Sequence, residues 1–268
     1  MNASTSSSRQ EDVSAIEPAV FLLIVTVSLA MPYLRWPTPY KLAAACALIA
    51  PGWYLANSNT RLFAPALFFV INAVMSPIVV PLTEAIRIPH TYLVPPMAVY
   101  LAIVLVQPRL KQAMRWLSFG TFDRRTTWVF VSVVAASALA LLFWALSATE
   151  DIDALRALVP DLPATWLVLY GVAFAALNSG FQEFLARALL FDGFSAMFVN
   201  AWFVVLSQAL VFAIWHIHGF PGGLIGVLMV FAWSICLGIL RHFSRGMLAP
   251  FAAHVAADTA IILLVLFV

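Results

Sequence analysis

The sequence predicts an all-α, polytopic membrane bundle of about eight or nine transmembrane helices, and three observations predict it. Of the residues, 63% are hydrophobic and only 10% charged. The mean hydropathy is +0.98. Apolar runs of about twenty residues, long enough to cross a bilayer, recur along the chain. Soluble domains carry about a quarter charged residues, so this chain has too few to coat a soluble globule. A net charge of +2, spread over short loops, leaves no footprint for nucleic acid. The partners expected are the lipid bilayer and no nucleic acid. Cys46 and Cys236 both lie in apolar runs, which excludes a disulfide framework or a CxxC motif.

In chain order, residues 1–17 are polar and serine-rich, with acid rather than a basic flank before the apolar run. They read as a disordered tail, followed by a retained first span rather than a signal peptide. An N-terminal transmembrane region, 18–162, holds candidate spans at 18–34, 42–56, 62–82, 92–106 and 128–146, then the acidic connection 150–162. A second region, 163–268, holds candidates at 166–191, 201–217, 223–240 and 247–268. The second and fourth of the nine are short. Proline and glycine sit near most proposed ends, as at Pro51-Gly52, Pro89, Pro95-Pro96 and Gly219 to Gly223. Pro77 and Pro81 fall inside the third span and predict a kink that neighbouring helices must satisfy.

Orientation follows from Lys and Arg asymmetry. The connection with Arg109, Lys111, Arg115, Arg124 and Arg125 is the most basic and is placed in the cytoplasm. Alternation then puts the acidic connection outside and brings the Asn200 turn and the basic turn 241–245 back to the cytoplasm. Residues 108–118 read as a short interfacial helix. The expected location is the cell membrane, plasma or inner.

Ionisable side chains inside spans cost about 2.5 to 3.5 kcal/mol each on insertion scales, so each asks for a partner or a role. They concentrate in the second region. Glu183 and Arg187 are four apart, one helical turn on one face, where carboxylate and guanidinium can pair. His254 and Asp258 repeat that spacing, so the carboxylate can orient the imidazole. His216 closes an aromatic, apolar span one turn after Phe212. Each feature alone reads as structural: a neutralised acid, a tied helix, a packed histidine. Their conjunction within about eighty residues points to one cavity. A hairpin at Asn200 brings Glu183 and His216 to similar depth at about 1.5 Å per residue.

The ordered motifs read Gln182-Glu183-Phe184-Leu185-Ala186-Arg187, then Phe212-Ala213-Ile214-Trp215-His216, then His254-Val255-Ala256-Ala257-Asp258. Over about residues 166–262 the chain resembles the CAAX protease and bacteriocin-processing family of glutamic-type intramembrane proteases. That family's pattern is two glutamates with arginine after three residues, Phe-x-x-x-His, and His-x-x-x-Asn or Asp. The resemblance implies a peptidase in which glutamate and the first histidine activate water while the last motif stabilises the oxyanion. Gln182 departs from the pattern where the family has its first glutamate, and an amide has no useful basicity. Ala188 stands where many members have glycine.

The expected function is therefore hydrolysis of a peptide bond in a membrane-associated or lipidated protein or peptide. Glu183 or Gln182 with His216 would position the water, His254 held by Asp258 would meet the oxyanion, and Arg187 would hold the carboxylate. No cofactor is expected; zinc is the lesser variant, since two histidines and a carboxylate are a competent set but no HExxH is present. The alternative is a catalytically degenerate member serving as a membrane partner-binding or immunity protein. Its substrate or partner would be a protein or peptide in the membrane.

Overall fold

In lipid an apolar run must satisfy its own backbone, which leaves the helix as the only form available to an isolated segment. The computed structural model describes residues 15–83, 91–116, 118–147, 149–157, 159–219 and 221–267, and these are helical with short connections and no strand. Most of the expected tail, 1–14, and Pro89 lie outside the described residues. Glu17 belongs instead to the first helix, α1 (Ile16–Ala30), where it is buried and accepts a 3.2 Å hydrogen bond from Asn59 Nδ2.

The N-terminal region continues with α2 (Thr38–Ala47), α3 (Ile49–Ser58), α4 (Thr60–Thr83), α5 (Val94–Val106), α6 (Pro108–Ala113), α7 (Arg124–Ser147) and α8 (Thr149–Arg156). The second region holds α9 (Ala164–Glu183), a π-helical turn (Phe184–Leu190), α10 (Phe191–Met197), α11 (Ala201–Trp215), α12 (Gly223–Ser244) and α13 (Leu248–Phe267). Among the described residues six segments are long and apolar enough to cross a membrane, with Thr91–Val106 as a shorter apolar helix.

Fewer spans stand alone than the nine expected, for local reasons. The second candidate is two ten-residue helices meeting at Leu48, each only about 15 Å long. Pro51 has no N–H to give the Ala47 carbonyl, so the helix breaks there. The candidate 166–191 is α9 running into the π turn and α10 rather than one α-helix. The interfacial helix contracts to α6. Helix α4 stays helical across Pro65, Pro77 and Pro81.

Helix α4 packs on α1, α2, α3 and α5, while α13 packs on α7, α9 and α12. An aromatic seam ties α1 and α4 to the π turn and α10: Phe21 meets Phe69 edge-on at 6.5 Å and Phe194 at 6.1 Å, and Phe68 meets Phe184 at 5.3 Å. Gly193 lies against the Phe21 ring so closely that a Cβ there would overlap it.

Two connections placed on one side by their charge do meet. Met247 N–H donates to the Ser118 carbonyl (2.9 Å) and Thr121 N–H to the Ser244 carbonyl (2.9 Å). Gly120, at φ +83°, permits this approach, since a Cβ would strike the 244–246 backbone. Arg241, in sequence part of a basic turn, is buried at the end of α12: its guanidinium lies 3.7 Å from Asp192 and bonds the carbonyls of Arg187 and Arg115. Asp123 caps α7 by accepting the Thr126 N–H at 2.7 Å, and that bond holds its carboxyl below the usual range.

Candidate active site

Gln182 and Glu183 are neighbours in sequence and face different ways, as about 100° per residue requires. Gln182 lines a cavity of about 660 Å³, and His216, His254 and Asp258 line the same cavity. Glu183 lies behind it, bordering a separate pocket with Phe184, Ala188 and Phe251. The hairpin at Asn200 thus gives Gln182, rather than Glu183, a common cavity with His216.

His254 joins the two layers. Its Nδ1 is 2.7 Å from Glu183 Oε1, and both side chains are buried. Where Glu183 accepts as a carboxylate, Nδ1 carries the donated proton, and Nε2 is the ring nitrogen left for other partners. Sequence spacing assigned this orienting task to Asp258. Its Oδ1 stands 3.8 Å from Nε2, beyond hydrogen-bond range. The reason is that Asp258 Oδ2 is held by α9, accepting from Asn178 Nδ2 (3.0 Å) and Ser179 Oγ (2.9 Å).

The expected Glu183–Arg187 pair forms, with Nη1 3.0 Å from Oε1. Arg187 sits in the π turn, fully buried, and its Nη2 donates to Ser234 Oγ (2.9 Å) and to the Ser234 carbonyl (3.2 Å). Phe212 covers it with its ring centroid 5.0 Å from Cζ, and Trp233 stands at 5.9 Å, both within cation–π range. The phenylalanine one turn before His216 therefore shields the guanidinium. Helix α11 ends at Trp215, and His216 opens a 3-10 turn that presents its imidazole beside Gly219.

Four supporting residues escaped sequence reasoning. Ser179 and Asn178 hold Asp258, Ser234 holds Arg187, and Trp233 packs edge-on against His254 at 4.5 Å while donating to Ser137 Oγ at 2.9 Å. Asn178 precedes Gln182 by four residues in an apolar helix, a signal that a search restricted to ionisable residues passes over. Trp233 and Ser234 carried no comparable mark. Among the described residues no three His, Cys, Asp or Glu side chains converge to hold a metal ion.

Fold and site together define an integral membrane protein of helices with a buried polar cluster in an apolar bundle. Within that class, residues 163–260 match the family model described as Type II CAAX prenyl endopeptidase Rce1-like. The likeness read from the three motifs therefore holds across the second region. That description is of a family of endopeptidases. No curated protein and no solved structure matches the chain.

Proposed function

We propose that the protein is an intramembrane endopeptidase that hydrolyses a peptide bond of a membrane-associated or lipidated protein or peptide, acting in the cell membrane without a metal. The observation that carries this reading is the sharing of one cavity by Gln182, His216, His254 and Asp258. Its other walls include Leu141 of α7, Leu167 of α9 and Ile261 of α13, so the substrate it suits is apolar and already in the bilayer.

An imidazole beside a bound water can take its proton as the oxygen attacks the carbonyl carbon, and later return it to the leaving amine. Polar N–H groups in a cavity shielded from bulk water stabilise the oxyanion far more than they would in water. Arg187 neutralises the buried Glu183 and keeps it in place.

Gln182, standing where the family pattern has glutamate, favours a second reading, a partner-binding protein that has lost hydrolysis. Cleavage assays separate the two. Protein purified in detergent and given fluorogenic peptides, with and without a C-terminal lipid, is expected to cleave at least one. Cleavage should vanish in His216→Ala and His254→Ala and persist in EDTA. Failure to cleave any of them would leave the partner-binding reading in place.

A further inference from the structure

Resting on the peptidase reading, we infer that the polar roles in this cavity are exchanged relative to those the motif resemblance implies. His254, set by Glu183 from behind, is the general base, and the Gln182 amide with His216 receives the oxyanion.

Gln182 is buried, faces the cavity, and makes no hydrogen bond through its amide to another described residue. It cannot accept a proton from water, but its NH2 group is a competent donor to developing negative charge. The carboxylate that the cavity face lacks is found one residue on, at the back of His254. The 2.7 Å contact from Nδ1 to Glu183 Oε1 fixes the tautomer and makes Nε2 the basic atom, the arrangement in which a carboxylate acts through an imidazole.

Asp258 supplies the second anchor. With Oδ2 held by Asn178 and Ser179, Oδ1 remains 3.8 Å from Nε2. Those two acceptors are close enough for one water to donate a proton to each, given hydrogen bonds of about 2.8 Å. The groups facing His254 are then Glu183 from α9, Arg187 behind Glu183 from the π turn, Asp258 on its own helix, Trp233 from α12 and His216 across the cavity. Among the described residues, Glu183 alone makes a short hydrogen bond to the ring.

The chemistry balances without a further reactant. Water gives a proton to His254 Nε2 as its oxygen bonds to the peptide carbonyl carbon. The carbonyl oxygen gains the negative charge and is met by the Gln182 amide and His216. On collapse the C–N bond breaks, and the proton on Nε2 passes to the departing amine. Glu183 and Arg187 never touch substrate; they are positioning residues.

Gln182→Glu tests the exchange by the sign of its effect. A carboxylate at the oxyanion position should lower kcat by on the order of 10²-fold, as loss of one oxyanion donor does. Were residue 182 the base position, the same substitution would raise kcat. Glu183→Gln should lower kcat by about 10²-fold, with KM nearly unchanged, through loss of the base's orientation. A readout apart from turnover is the 15N spectrum of histidine-labelled protein in micelles. His254 is expected as the Nδ1–H tautomer in the wild type and to lose that uniform state in Glu183→Gln. Faster cleavage by Gln182→Glu, or an Nε2–H tautomer at His254, overturns this inference and leaves the peptidase reading standing. A wild type that cleaves nothing overturns both.

Discussion

Ser179 on α9 and Asp258 on α13 lock those helices together inside the bundle, with Ser179 Oγ donating to Asp258 Oδ2 over 2.9 Å and neither side chain exposed. The carboxylate of the third motif is thus committed to α9 through one oxygen and offers only the other to the cavity. Ser179→Ala removes a hydrogen bond to a buried charged group, with a cost of about 1 to 3 kcal/mol. A lower melting temperature in detergent is expected, accompanied by weaker turnover because Asp258 loses one of its two restraints. A variant with both values unchanged would show that Asn178 alone holds the carboxylate.

Arg187 has a larger structural debt attached to it. Arg187→Leu fits the volume but takes from the buried Glu183 its closest guanidinium, and removing one member of a buried pair costs about 3 to 5 kcal/mol. The Ser234 contacts and the stacking on Phe212 go with it. Arg187→Lys is expected to rescue only part, since an ammonium cannot span Glu183 and Ser234 as the planar fork does. Size-exclusion recovery and thermal melting should rank wild type above Lys above Leu.

The fold class was legible because lipid tolerates so few backbone forms that hydropathy nearly determines the helices. Both i,i+4 spacings pointed to real neighbours, and Glu183 with Arg187 paired as expected. What spacing on a single helix cannot contain is the partner from another helix. The imidazole of His254 had Asp258 one turn away on its own helix, yet the shorter contact came from Glu183, seventy-one residues earlier in the chain. Likewise Arg241 looked like a loop charge in sequence, and only the buried Asp192 beside it shows why it turns inward. The break at Leu48 was foreshadowed by Pro51, but a proline inside a span does not announce whether it splits the helix or, as in α4, is carried through.

Where α10 meets α1, Gly193→Val sets a branched side chain against the Phe21 ring. Overpacking of this kind costs about 1 to 3 kcal/mol, and the seam from Phe21 to Phe69 and Phe194 gives the ring no free direction. Phe21→Leu on its own leaves a gap, but combined with Gly193→Ala it should recover stability that each single change loses. A double-mutant cycle by thermal melting tests this, and additive losses would mean that the two residues do not press on each other.

Gly219 tests the site without disturbing the bundle. Its backbone, at φ −85° and ψ −166°, is extended and open to any residue, so Gly219→Ala carries no conformational penalty of its own. The added Cβ would nevertheless overlap the His216 imidazole, and of the two the ring is the easier to move, because it hangs from a short turn at the end of α11. A displaced ring misaligns one of the groups that meet the substrate carbonyl, and a misplacement of about 1 Å at such a position costs on the order of 10²-fold in turnover. The expected result is a melting temperature equal to wild type, a KM close to it and a kcat reduced by that factor. Full turnover in Gly219→Ala would mean that His216 can leave its place without consequence, and its part in the reaction would have to be given up.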